Sequence, residues 1–244
     1  MYGKRARLGR INPSPETVGD EEWRRQCPDG VIVVSTRMYI ENVDEEGLRS
    51  MVTQVERAAR ELATARVGAI LMAGTAGAFN GGAGFDRELI GRMERASGLQ
   101  STTTMTAVLD ALRALAIRKV AVATSYIGSV DAALRRTLQA EGIEVTRIEG
   151  MGILKSIDMG DIEPQRTYDF ARAVFRKAPE ADGYFISCGN LRALEAAERL
   201  EAEFEKPVIT SNQAGLWKVL GMCGVSPRGV SGGGRLFGIG EQLC

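Results

Sequence analysis

The chain has 244 residues, 44% of them hydrophobic and 25% charged, which is ordinary for a globular protein and enough for one large domain or two small ones. Its 31 basic and 31 acidic residues cancel, the basic ones are scattered, and no apolar run approaches the ~20 residues of a membrane span, so neither a nucleic-acid surface nor a membrane partner is expected. There is no histidine, which excludes Ser-His-Asp and Cys-His pairs and histidine-containing zinc sites and leaves acid–base chemistry to Cys, Asp, Glu, Lys, Tyr or water.

Met1 to Arg10 is basic, but no apolar segment follows it, so no signal peptide is expected. Cys27, Cys188, Cys223 and Cys244 show no CxxC spacing and no repeated interval. That pattern points to reduced thiols and a cytoplasmic protein rather than a disulfide framework.

Short β-rich runs alternate with longer amphipathic stretches along the chain. The first strand is expected over Leu8–Ile11 and the second over Gly30–Ser35. One long helix is expected over Asp44–Thr64. A strand over Val67–Met72, a helix over Asp86–Ser97 and a short strand over Ser101–Thr103 follow. Next come a helix over Met105–Ala116, a strand over Val120–Thr124, a helix over Val130–Glu141 and a strand over Glu144–Ile148. The pattern closes with a helix over Glu163–Ala178, a strand over Gly183–Ser187, a helix over Leu191–Phe204, a strand over Pro207–Thr210 and a helix over Ala214–Met222. Runs such as VGAILM and KVAVAT are continuously apolar, which suits parallel strands covered by helices on both faces. The fold class is therefore α/β.

The order also repeats. Arg7–Ile11 followed by Pro13-Ser14 resembles Arg118–Val122 followed by Thr124-Ser125. The strand ending at Gly74-Thr75 resembles the one ending at Cys188-Gly189, and Ser101-Thr102-Thr103 resembles Ile209-Thr210-Ser211. The offsets are similar, and they imply two similar lobes facing each other across a ligand cleft.

Three segments carry candidate chemistry. Cys188 stands just past one strand and just before a predicted helix, with Gly189 and Asn190 behind it. Strand carboxyl ends are where open α/β sheets bind ligands, and a helix N-terminus offers free N–H groups and positive potential. That field is expected to lower the thiol pKa toward a value useful in proton transfer. The alternative is a buried structural cysteine. Gly74-Thr75-Ala76-Gly77 occupies the equivalent place in the first lobe, where small residues admit a ligand to the backbone and Thr75 adds a hydroxyl. Tyr126, after Thr124-Ser125, places a phenol at the same edge, either as a donor to an anion or as a packing tyrosine.

Gly74-Thr75, Thr103-Thr104-Met105-Thr106, Ala123-Thr124-Ser125-Tyr126-Ile127 and Ser187-Cys188-Gly189 together resemble the arylmalonate decarboxylases. These belong to the aspartate/glutamate racemase superfamily, which includes maleate cis-trans isomerase. The resemblance covers about residues 30 to 220. It implies two pseudo-symmetric, Rossmann-like lobes with parallel sheets and the active site between them, the chain crossing near residue 100 and returning near 208. Lobe 1 would comprise 1–99 with 208–244, and lobe 2 would comprise 100–207. The racemases and isomerases carry one cysteine per lobe. Here the first position falls at Gly74 or Thr75, so Cys188 alone remains, as in the decarboxylase branch.

The resemblance further implies a small carboxylic or dicarboxylic acid substrate and no cofactor. One carboxylate would be held by Thr75, the Ala76 N–H, Tyr126 and the N–H groups of Cys188 and Gly189. The other would enter an apolar pocket containing Ile40, Val43, Leu48, Ser156 and Met159. Ala76 replaces a serine of the family, Asn190 a glycine, Gly77 a larger apolar residue, Leu48 a tyrosine and Ser156 a valine. The N-terminal Pro13-Ser14 and Ser35-Thr36-Arg37-Met38 runs lean toward maleate isomerase. Arg37 is a candidate partner for a second substrate carboxylate, with a surface salt bridge as the alternative. An isomerase or racemase using Cys188, and a carboxylate-binding protein without catalysis, remain as competing readings.

Overall fold

The computed structural model describes residues 2–228, 230 and 232–239, so Met1 and Cys244 lie outside the described residues. It contains two four-stranded, all-parallel sheets. The first half of the chain runs β1 (Ala6–Pro13), α1 (Gly19–Gln26), β2 (Val31–Met38), α2 (Glu45–Val52), α3 (Val55–Thr64), β3 (Ala69–Met72), α4 (Thr75–Phe79), α5 (Phe85–Ser97), β4 (Ser101–Thr103) and α6 (Thr104–Ala114). The second runs β5 (Lys119–Thr124), α7 (Gly128–Ala140), β6 (Glu144–Gly150), α8 (Ser156–Gly160), α9 (Pro164–Phe175), β7 (Gly183–Ser187), α10 (Leu194–Phe204), β8 (Val208–Thr210), α11 (Ser211–Met222) and α12 (Gly234–Gly238).

The sheet orders are β2-β1-β3-β4 and β6-β5-β7-β8, so the second repeats the first. All four residues of β3 and all five of β7 are buried, as strands between two helical layers should be. The repeat extends to the caps. The Thr103 side chain accepts from the Thr106 N–H at the start of α6, and the Thr210 side chain accepts from the Gln213 N–H at the start of α11, in a reciprocal capping box.

The lobe boundaries expected near residues 100 and 208 need correction at the strands. β4 pairs with β3 and stays in the first sheet, while β8 pairs with β7 and stays in the second. It is the helices after them that reach across. α11, following β8, packs against β3 and against α6, so that a Cβ on Gly215 would stand 3.0 Å from Leu71 Cδ1. α6, following β4, in turn contacts β8.

The single helix expected over Asp44–Thr64 is two, with Thr53 and Gln54 between them. The break has a local cause: the Gln54 side chain pairs with the end of β2, accepting from the Tyr39 N–H at 3.0 Å and donating to the Tyr39 carbonyl at 3.1 Å. Among the described residues, no helix is long and apolar enough to cross a membrane.

Candidate active site

The carboxyl ends of β1, β3, β5 and β7 converge on one pocket between the two sheets, with about 380 Å³ of empty space counted to its open mouth. The pocket wall contains twelve of the residues that the sequence singled out: Cys188, Gly189 and Asn190 after β7; Gly74, Thr75 and Ala76 after β3; Tyr126 after β5; and Ile40, Val43, Leu48, Ser156 and Met159. Pro13, Glu16 and Met51 complete it. The placement of Pro13 and Glu16 follows from the rule that placed Cys188, since both stand at or just past the end of β1.

Gly74 turns the chain sharply between β3 and α4, with φ +89°, a left-handed conformation that glycine adopts freely. The Ala76 N–H therefore falls in a first helical turn, where backbone donors lack intrahelical acceptors. The Thr75 hydroxyl donates to Ser211 Oγ at 2.9 Å, and the Cys188 N–H donates to the same oxygen at 3.2 Å. Ser211, the first residue of α11, thus ties the two halves of the site together. The Cys188 N–H, expected to face a carboxylate, is already engaged there. Tyr126 Oη lies 3.2 Å from Ser187 Oγ. Burial pushes the Tyr126 phenol well above its usual pKa of 10.0, with the nearby Cys188 adding to the rise. It stays protonated and able to donate.

Cys188 is buried, with φ +155°, a conformation that side-chain-bearing residues rarely adopt. Its Sγ lies 3.6 Å from Met159 Sδ, which also receives the Ser125 hydroxyl at 3.2 Å. The expected fall of the thiol pKa does not occur. Desolvation pushes it up to about 11, Glu16 and Glu22 add to the rise, and hydrogen bonds from Ser125 and from the Asn190 backbone oppose it without prevailing. The reason lies in the helix start, since α10 begins only at Leu194 and the predicted helix field is displaced from the sulfur.

Asn190 lines the pocket, but its side chain is committed elsewhere. Its Oδ1 accepts from the Thr17 N–H at 2.8 Å, and its Nδ2 donates to the Ser156 carbonyl at 2.8 Å, clamping the loop after β1 to the start of α8. Arg37 is not on the pocket wall. Its guanidinium donates to the Ser14 and Glu16 carbonyls at 2.8 Å each and lies 3.7 Å from Asp20, so it braces that loop rather than awaiting a substrate carboxylate.

Beneath the loop lies a buried polar network that sequence reasoning missed. Arg10, 1% exposed, donates to Glu16, to Asn12 at 2.7 Å and to Asn212 at 3.1 Å, and lies over the Trp23 ring. Asn212 Nδ2 donates to Glu22 at 2.7 Å and to the Gly189 carbonyl at 3.0 Å, so the network reaches the peptide beside Cys188. Among the described residues no cluster of three metal-ligating side chains could hold a metal ion.

Residues 26–237 match the arylmalonate decarboxylase family. The chain belongs to that family. Arylmalonate decarboxylase of Bordetella bronchiseptica is 32% identical over 94% of this chain and 95% of its own length. A crystal structure of arylmalonate decarboxylase superposes with a TM-score of 0.82 at 32% identity, covering 96% of this chain and 99% of the other. A variant of the maleate isomerase Iso of Pseudomonas putida S16, solved with maleate, superposes with a TM-score of 0.91 at 25% identity, covering 96% and 98%. The arylmalonate decarboxylase fold of this chain thus joins two lobes at a wall with hydroxyl and N–H donors on one side, apolar side chains on another and a single thiol, Cys188.

Proposed function

We propose that this protein decarboxylates a 2-substituted malonic acid without a cofactor, with Cys188 as the acid that protonates the product. The observation that supports the reading is the convergence, on one cavity wall, of the protonated Cys188 thiol, the Thr75–Tyr126 donors and the apolar Ile40, Val43, Leu48 and Met159. One substrate carboxylate takes hydrogen bonds from Tyr126, from the N–H groups of Ala76 and Gly189, and from the Thr75 hydroxyl, which, unlike the Cys188 N–H, can rotate away from Ser211. The other faces apolar side chains, where its charge is poorly solvated. The bond from that carboxylate to the α-carbon breaks, carbon dioxide leaves, and the electron pair passes into the remaining carboxylate to form an enediolate. The same donors stabilise the developing charge. Cys188 then gives its proton to one face of the α-carbon, and the thiolate is reprotonated from solvent. Cys27, Cys188 and Cys223 are free thiols, which fits a reducing, cytoplasmic setting.

The test is carbon dioxide release from phenylmalonate and methylphenylmalonate in heavy water. Methylphenylmalonate should yield product deuterated at the α-carbon and strongly enriched in one enantiomer. Cys188→Ser, nearly isosteric, should fold and lose about 10²–10⁴-fold in turnover, because a serine hydroxyl is a far weaker acid. A racemic product, or full activity in the serine variant, overturns the role of Cys188. A second reading, cis–trans isomerisation or racemisation through Cys188, draws support from the TM-score of 0.91 with the isomerase solved with maleate. It requires isomerised or racemised acid with no carbon dioxide released.

A further inference from the structure

Among the described residues, the single charged side chain on the cavity wall is a carboxylate, Glu16. It is 2% exposed. Its Oε1 receives the Arg10 guanidinium from below. Its other oxygen stands beside Gly189, another wall residue, since a Cβ built there would lie 3.1 Å from Glu16 Oε2 and 3.4 Å from Asn212 Oδ1. Arg10 also serves Asp20, 3.3 Å away, and a third carboxylate, Glu22, sits on the far side of Asn212. Arg10 lies beneath the wall rather than on it, and no lysine or arginine among the described residues lines the cavity.

This is an unexpected wall for a dicarboxylate. A malonate dianion with a hydrocarbon substituent brings two negative charges beside Glu16 and nothing to pair with it. In a cavity shielded from water, that repulsion is poorly screened, whereas a cation on the ligand turns it into a charge-assisted hydrogen bond. Glu16 Oε2 stands beside Gly189, the residue next to Cys188 in the chain, where the reading above puts the reacting carbon. The cation it suits is therefore small and attached close to the reacting carbon.

We propose that Glu16 is a specificity-determining residue that selects diacids carrying an ammonium group next to the reacting carbon, over diacids with a hydrocarbon substituent there. The proposal rests on the reading that this cavity takes a dicarboxylate, and it names the class of dicarboxylate.

The experiment measures binding of three ligands of nearly equal size to the wild-type protein by calorimetry: aminomalonate, hydroxymalonate and methylmalonate. Aminomalonate should bind about tenfold tighter than methylmalonate or better, the value expected for one charge-assisted hydrogen bond, with hydroxymalonate between them. Glu16→Gln, checked for folding by circular dichroism, should shrink the preference. If that variant does not fold because Arg10 has lost its partner, the wild-type series still decides. Methylmalonate binding as tightly as aminomalonate, or an unchanged preference in folded Glu16→Gln, overturns the proposal. Carbon dioxide release from phenylmalonate and methylphenylmalonate, measured on the same protein, separates the two layers. Preference without release leaves the proposal standing and removes the decarboxylase reading, and release without preference does the reverse. Failure of all three to bind overturns the proposal.

Discussion

Glu22 offers a test of the buried network that needs no substrate. It is almost fully enclosed, held by Asn212 Nδ2 at 2.7 Å and approached by the Leu194 N–H at 3.4 Å. Burial raises its pKa from 4.5 to about 7, the hydrogen bonds from Asn212 and Leu194 and the attraction of Arg10 opposing that rise and Glu16 reinforcing it. The native state therefore holds the Glu22 proton more tightly than the unfolded chain does. The resulting stability is complete below pH 4.5 and is lost as the pH rises through about 7. The gap from 4.5 to about 7, at 1.36 kcal/mol for each pH unit, is about 3 kcal/mol. Glu22→Gln keeps an oxygen for Asn212 and carries no charge. It should unfold at about the wild-type denaturant concentration at pH 4.5 and be about 3 kcal/mol more stable than wild type at pH 8. Urea unfolding of both proteins across that range reads the difference directly, because the contributions of the other carboxylates cancel. A stability difference that does not change with pH would refute the reasoning and show that Glu22 titrates alike in the folded and unfolded chain.

Two further outcomes follow from the same geometry. Asn190→Ala strands the Thr17 N–H and the Ser156 carbonyl in the interior, at about 1–3 kcal/mol for each orphaned group, so its melting temperature should fall by roughly 5–15 °C; a shift below about 2 °C would show the clamp to be dispensable. Alkylation of Cys188 by iodoacetamide should be slow at pH 7 and rise through pH 10, since a thiol pushed up to about 11 is only ~10⁻⁴ thiolate at neutrality; mass spectrometry of the modified peptide against pH checks this, and rapid labelling at pH 7 would contradict it.

All eight strands were legible because each is a short β-rich run between turn residues, and the parallel arrangement followed from runs apolar on both faces. The short helices were not. α1 reads GDEEWRRQ and turns Trp23 inward from an otherwise polar segment, while α4 and α8 span five residues each, too few for a helical period to show. The pocket residues were legible in part from strand ends and in part from family resemblance. What stayed hidden depends on contacts distant in the chain. Arg10 meets Asn212 across 202 positions, and Asn190 meets Thr17 across 173, so neither the burial of Glu16 nor the diversion of the Asn190 side chain leaves a local trace.

The most consequential misreading concerned the direction in which Cys188 is tuned. A cysteine between a strand and a helix reads as a thiolate, because helix N-termini favour negative charge within about the first turn. Here the five residues from Gly189 to Ala193 intervene before α10, and the sulfur is enclosed by Met159 and apolar neighbours, with carboxylates rather than cations nearby. Desolvation then decides. For a nucleophile this would be a defect, since the reactive form would be scarce. For an acid meeting an enediolate it is an advantage: the thiol arrives protonated at neutral pH, and the carbanion it meets is basic enough to take the proton even from a weakened acid. Tyr126, kept protonated by the same burial, would hold the remaining carboxylate in the proposed reaction as a donor without competing as an anion. One physical cause, exclusion of water from the strand ends, therefore sets both groups in the protonation states that decarboxylation followed by one-sided proton delivery requires.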